Sequence, residues 1–172
     1  MPNKILVTYA SRTGATIGVA EAIGKTLAEH GTEVEVRAMK DISDISTYKA
    51  VIVGSAIQNR QWLPEAVDFV RANRAALNAM PTAAFLVCMT LAMRKGGYRS
   101  QVSAWLDPVR ALVKPVSVGL FAGALNISKI PSMSDRLRFR LSVLFGVWSE
   151  GDHRDWAAIR AWAESLPPLL SR

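Results

Sequence analysis

Apolar and polar positions alternate between two periods along this chain. Lys4-Ile5-Leu6-Val7-Thr8-Tyr9 is β-branched and apolar without a polar alternate face, the pattern of a strand buried on both sides. Residues 15–29 then place Ile17, Val19-Ala20, Ile23 and Leu27-Ala28 at helical spacing, and His30-Gly31 supplies a stop. Glu33-Val34-Glu35-Val36-Arg37 alternates strictly, as a half-exposed edge strand does, whereas Tyr48 to Ser55 reads as another fully buried strand. Pro64 opens a helix over 64–77. A fourth strand is predicted over 82–89, a helix over 98–113 and a fifth strand over 116–122. Asp152, with Asp155 three residues on, caps a last helix that Pro167-Pro168 ends.

Five alternating βα units of this kind imply a single α/β domain spanning 1–172. Its parallel sheet is doubly wound, with helices on both faces. Residues 123–151 interrupt the rhythm, because βα connections usually take only about 2–6 residues. Residues 134–148 within this insertion read as a helix with two apolar sides. Leu137, Leu141, Leu144, Phe145 and Trp148 share one, and Phe139, Val143 and Val147 the other, with Arg136, Arg138 and Arg140 among them. Two apolar sides predict two burial events, one against the domain and one against something else. A membrane interface, a second copy in a homodimer and a hydrophobic substrate each satisfy the second, as does a helix wedged within the fold.

Composition narrows the picture. Half of the 172 residues are hydrophobic and a fifth are charged, an ordinary globular balance. The lone cysteine, Cys88, excludes an internal disulfide and a cysteine-rich metal site; it points to a reducing, cytoplasmic compartment and reads as a small buried hydrophobe. No apolar run reaches the ~18 residues of a membrane span, and no export signal precedes the first strand. The net charge of +7 is carried by residues 90–148, where nine Lys/Arg face only Asp107 and Asp135. Such a surface attracts anions. Nucleic acid is an unsuitable partner, since the basic stretch lacks interleaved exposed aromatics and any nucleic-acid motif.

Candidate chemistry sits directly after the first strand, in Ser11-Arg12-Thr13-Gly14-Ala15-Thr16. A helix opening there offers unpaired N–H groups and a partial positive charge, Gly14 admits a close approach, and Ser11, Thr13 and Thr16 add hydroxyl donors, with Arg12 at the rim. Neither a Walker A loop nor a G-x-G-x-x-G fingerprint is present. The two histidines, His30 and His153, stand at helix ends without ligating neighbours, and no nucleophile triad or metal cluster is recognisable.

The loop matches S/T-x-T-G-x-T and resembles the phosphate loop of flavodoxins, which implies FMN and a five-stranded sheet of order 2-1-3-4-5. Val53-Gly54-Ser55-Ala56-Ile57 resembles the second flavin loop. Met80 to Phe85, Phe121 to Leu125 and Ser134-Asp135-Arg136-Leu137-Arg138-Phe139 are similar to segments of the menaquinone-dependent protoporphyrinogen oxidase family, flavodoxin-like enzymes of haem synthesis with a long insertion before the last helix. This resemblance implies an FMN-dependent oxidoreductase passing electrons from a porphyrinogen to a quinone. Its cofactor contacts would be Ser11 to Thr16, Ser55, Ala56, Ile57, Gln58, Thr90, Leu91, Ala92, Gly97 and Tyr98. Arg136, Arg138, Phe139, Arg140 and Trp148 would meet substrate, or the inner face of the cell membrane. Trp62 and Tyr98 either touch the flavin or pack. The alternatives are a flavodoxin-type electron carrier and a flavodoxin-fold protein that binds other proteins without FMN.

Overall fold

The computed structural model describes residues 3–93 and 95–171. Five parallel strands form the main sheet: β1 (Lys4–Ala10), β2 (Glu33–Ala38), β3 (Ala50–Gln58), β4 (Thr82–Cys88) and β5 (Val118–Ala122). Their spatial order is β2-β1-β3-β4-β5, the doubly wound order expected, and a two-residue strand, Gln61–Trp62, adds antiparallel to the end of β3. Successive side chains of a strand point to opposite faces. In β1, Leu6 therefore enters the core on one side, while Ile5 and Val7 enter the core on the other. Both faces being dry explains the unbroken apolar runs of β1, β3 and β4. Among the described residues β2 pairs only with β1, with Val34 and Val36 packed on the core and Glu33 and Arg37 exposed, so its alternation is that of an edge strand.

One core lies beneath α2 (Pro64–Ala72), α3 (Arg74–Ala79), α4 (Arg99–Ala104) and α5 (Asp107–Arg110). The helix expected over 64–77 is divided at Asn73, whose side-chain amide donates to the Phe69 carbonyl and competes with the helical ladder. The helix expected over 98–113 breaks ahead of Pro108, which cannot donate to the carbonyl one turn back.

The opposite core lies beneath α1 (Ala15–Glu29) and α7 (Trp156–Glu164). The cap of α7 is Asp155, which accepts from the Ala158 N–H at 2.9 Å; Asp152 is held instead by Arg154. Pro167-Pro168 do not end the chain's helical content but open one more turn, α8 (Pro167–Leu170), as prolines can at the first helical positions.

The insertion has its own small core. Ala124–Leu125 and Gly151–Asp152 pair antiparallel and close its base. Between them lie a 3-10 turn (Ile127–Lys129) and α6 (Met133–Leu144), capped by Ser132. Leu125, Ile127 and Ile130 are buried against Met89, Phe139, Val143 and Trp148. The two-sided helix is thus confirmed on its inner side, with one correction. The helix ends at Leu144, and Gly146, at φ 72°, reverses the chain. That reversal carries Trp148 across to stack on Phe139 at 5.1 Å between centroids, while Val147 moves outward.

Candidate functional site

Two adjoining clefts open at the carboxyl ends of the strands, where ligands of doubly wound sheets bind. The first, about 350 Å³, is lined by Ser11, Arg12, Thr13, Ala15 and Thr16, by Ala56 to Gln58 from β3, and by Val87 to Met89 from the end of β4. Gly123 to Asn126 and Ile130 to Ser132 of the insertion complete it. The second, about 630 Å³, runs on between Ile57–Arg60 and the side chains of Met89, Thr90, Met93 and Tyr98 and is roofed by α6 and Trp148. Ile57, Gln58, Cys88, Met89, Asp135 and Phe139 line both, so the two spaces are continuous.

The loop after β1 meets an anion's requirements on structural grounds. Gly14 stands at the N-cap with φ 95°, a conformation costly for any side chain with a Cβ, and its N–H donates to Ser11 Oγ at 3.1 Å. No side chain caps α1 and its first turn holds no carboxylate. α6 and α7 have side-chain caps, Ser132 and Asp155, whereas α2 to α5 and α8, like α1, have none. What sets α1 apart is its place: its first turn lines the first cleft, where its unpaired N–H groups can meet a ligand. Arg12 is less available than expected: its guanidinium grips both carboxylate oxygens of Glu65 at the start of α2. Burial pushes the Glu65 carboxyl up more than any other single influence, but the Arg12 hydrogen bond, a backbone hydrogen bond and the Arg12 charge together hold it below the usual range.

The remaining sequence candidates divide. Ala56, Ile57, Gln58, Thr90 and Tyr98 line the clefts. Ser55 does not: it is fully buried, and its Oγ accepts from the Leu63 N–H at 3.1 Å, tying β3 to the start of α2. Leu91 turns into the core, and Ala92 and Gly97 lie beside the second cleft without lining it. Trp62 is a core residue, 3% exposed. Arg136 is not a free cation. It donates to the carbonyls of Ile130 (2.5 Å) and Ser128 (3.2 Å) and so pins α6 to the segment before it. Arg138 and Phe139 line the second cleft, Trp148 roofs it, and Arg140 faces solvent.

Several lining residues carried no local signal. Asn59 and Arg60 form a two-residue hairpin turn with φ 52° and 62°, the left-handed pair such a turn requires. A bulky arginine seldom occupies that conformation, and here it sets Arg60 on the rim of the second cleft. Asp135, in the first turn of α6, is the sole carboxylate on either cleft wall among the described residues. It lies 3.8 Å from Arg138. Cys88 also faces both clefts, yet burial pushes its thiol up, away from nucleophilic reactivity. Arg154 buttresses the site from behind. It forks onto Asp152 (2.7 and 2.8 Å), packs over Gly18 and Trp156, and donates to the Ala15 carbonyl. Among the described residues, no group of three or more His, Cys, Asp or Glu is arranged to hold a metal ion, and no helix is long and apolar enough to cross a membrane.

The family model for the flavodoxin domain matches residues 6–143. The chain belongs to that family. FMN is the cofactor this membership indicates, and the uncapped, carboxylate-free first turn of α1 fits its phosphate. Over 178 aligned residues the chain is 28% identical to the protoporphyrinogen IX dehydrogenase (quinone) of Leishmania major, covering 96% of this chain and 75% of that protein. Among solved structures it is similar to a short-chain flavodoxin associated with a non-canonical PDU bacterial microcompartment (15% identity, 98% and 99% of the two chains, TM-score 0.60). It is also similar to a flavodoxin from the domain Archaea (20% identity, 95% and 98%, TM-score 0.53) and to oxidised flavodoxin 2 of Bacillus cereus (21% identity, 83% and 97%, TM-score 0.52). At these identities the structural likeness concerns the fold.

Proposed function

We propose that this flavodoxin-domain protein is an FMN-dependent oxidoreductase that oxidises a porphyrinogen and passes the electrons to a quinone. The observation that carries the reading is the second cleft. It continues from the phosphate-loop cleft and is walled by Tyr98, Trp105, Phe139 and Trp148, with Arg60 and Arg138 at its edge. A flat, hydrophobic ring system bearing carboxylates suits those walls and that rim. The name of the Leishmania relative agrees with this substrate and acceptor.

Bound FMN would supply the acceptance and release of electrons. The roles of the chain's own residues follow from their places. Ser11, Thr13 and the first turn of α1 would hold the phosphate, and Ile57, Gln58, Thr90 and Tyr98 would flank the ring. Oxidation of a porphyrinogen also releases protons. Asp135, where the clefts meet, is the wall group able to take one up, and Arg138 would keep it oriented. Phe139 and Trp148 would exclude water from above.

The test is to add protoporphyrinogen IX and a menaquinone analogue to FMN-loaded protein and to follow porphyrin fluorescence under anaerobic conditions. Formation that depends on both FMN and the quinone is expected; its absence would sink the reading. The structural kinship to flavodoxins favours a second reading, a one-electron carrier. That reading requires a stable semiquinone on titration and prompt reduction by a flavodoxin reductase. The basic stretch and the roof over the second cleft count against it, since a carrier exposes its flavin edge to partners.

A further inference from the structure

We infer that the outer face of α6 is a docking surface for an anionic lipid bilayer. The inference rests on the surface chemistry of that helix and not on the reaction proposed above. At about 100° per residue, Met133, Leu137, Leu141, Leu144 and Phe145 fall in one stripe about 120° wide. All five are exposed: Met133, Leu144 and Phe145 by more than three-quarters, Leu137 by 60% and Leu141 by 45%. Arg140 borders the stripe on one side and Arg138 on the other. The opposite side of the helix, Phe139 and Val143, is committed to the small core of the insertion. The outer stripe therefore has no partner among the described residues.

What covers it is indicated by the charge. The helix and the residues leading into it contribute Lys129, Arg136, Arg138 and Arg140 against Asp135 alone, and the chain's whole net excess lies in residues 90–148. Two copies of this face would bring like charges together. A lipid surface with anionic headgroups offers apolar depth for the stripe and acceptors for the flanking arginines, whose stems can lie along the apolar boundary. The helix is twelve residues long, suited to lying in the interface rather than spanning it. Val147, partly exposed beside the stripe, also lines the second cleft, so a bilayer covering α6 would adjoin the mouth of that cleft.

Flotation of the full-length protein with vesicles of phosphatidylcholine, with and without phosphatidylglycerol, tests the inference. Co-flotation that requires phosphatidylglycerol and fades at high salt is expected. Leu137→Glu/Leu144→Glu should lower partitioning more than ~10-fold and Arg140→Gln about fivefold, with near-ultraviolet circular dichroism unchanged. Failure of the wild-type chain to float, equal flotation on neutral vesicles, or wild-type flotation by the leucine variant would each overturn it. So would a dimer in sedimentation velocity that the leucine variant dissociates while neither protein floats; the face would then belong to a second copy.

Discussion

Gly54→Ala puts the central register of the sheet to the test. Gly54 lies in β3 directly opposite Phe85 of β4. A Cβ built at Gly54 would stand 2.0, 2.2 and 2.5 Å from three atoms of the Phe85 ring. Non-bonded carbons rest at ~3.5–4.0 Å, so the ring would have to retreat by about 1.5 Å. It has nowhere to go, being fully buried and packed within 6.5 Å of Phe121 and 6.3 Å of Trp162 between centroids. Overpacking a dense core costs about 1–3 kcal/mol and sometimes more, and a rigid ring between two other aromatics belongs at the upper end, about 3 kcal/mol. Phe85→Leu removes the clash but leaves a cavity, about 1–2 kcal/mol by itself. The double variant should be roughly 2 kcal/mol more stable than the sum of the two losses implies. Urea denaturation measures all three, provided the slope stays constant. A loss below about 1 kcal/mol for Gly54→Ala, or strict additivity in the double variant, would refute the argument.

Thr13→Val keeps the shape of the phosphate loop and removes a hydroxyl; FMN affinity, followed by flavin fluorescence, should fall about 10-fold or more, as for a hydrogen bond to a charged group. Asp135→Asn should slow porphyrin formation by at least about 100-fold while FMN affinity is unchanged, and an undiminished rate would remove Asp135 from the reaction. Glu35 gives a test by pH. Its carboxyl is lowered chiefly by the Tyr48 hydroxyl, with Lys4 and Arg37 adding to that against the effect of burial. Because the folded pKa lies below the unfolded one, this contribution is complete above about pH 4.5 and is lost as pH falls through the folded value. Glu35→Gln should therefore lower stability near neutrality and flatten the acid limb of a stability–pH curve; an unchanged limb would contradict the assignment.

Local pattern determined a large part of this protein. Dry strands need apolar runs and an edge strand needs alternation, so β1 to β5 were legible, as was the hydroxyl-rich turn at the start of α1; the order of the strands came from the resemblance to flavodoxins. The two-sided character of 134–148 was also present in spacing alone. Tertiary structure decided which of these residues share a cleft. Ser55 was a candidate flavin contact because Val53 to Ile57 resembles a flavin loop, but β3 runs on to Gln58 and leaves Ser55 inside, bonded to Leu63. Arg136 and Arg140 are alike in sequence, yet one is bound to backbone carbonyls and the other is exposed to solvent. Asp135 reads as an ordinary first-turn acid until the hairpin at 124–125 and 151–152 folds α6 over the strand ends. Trp148 reaches Phe139 only because Gly146 reverses the chain. Periodicity records what each residue needs from its immediate surroundings. Which distant residue meets it depends on where strands stop and where the chain turns back, and those are settled by packing of the whole molecule.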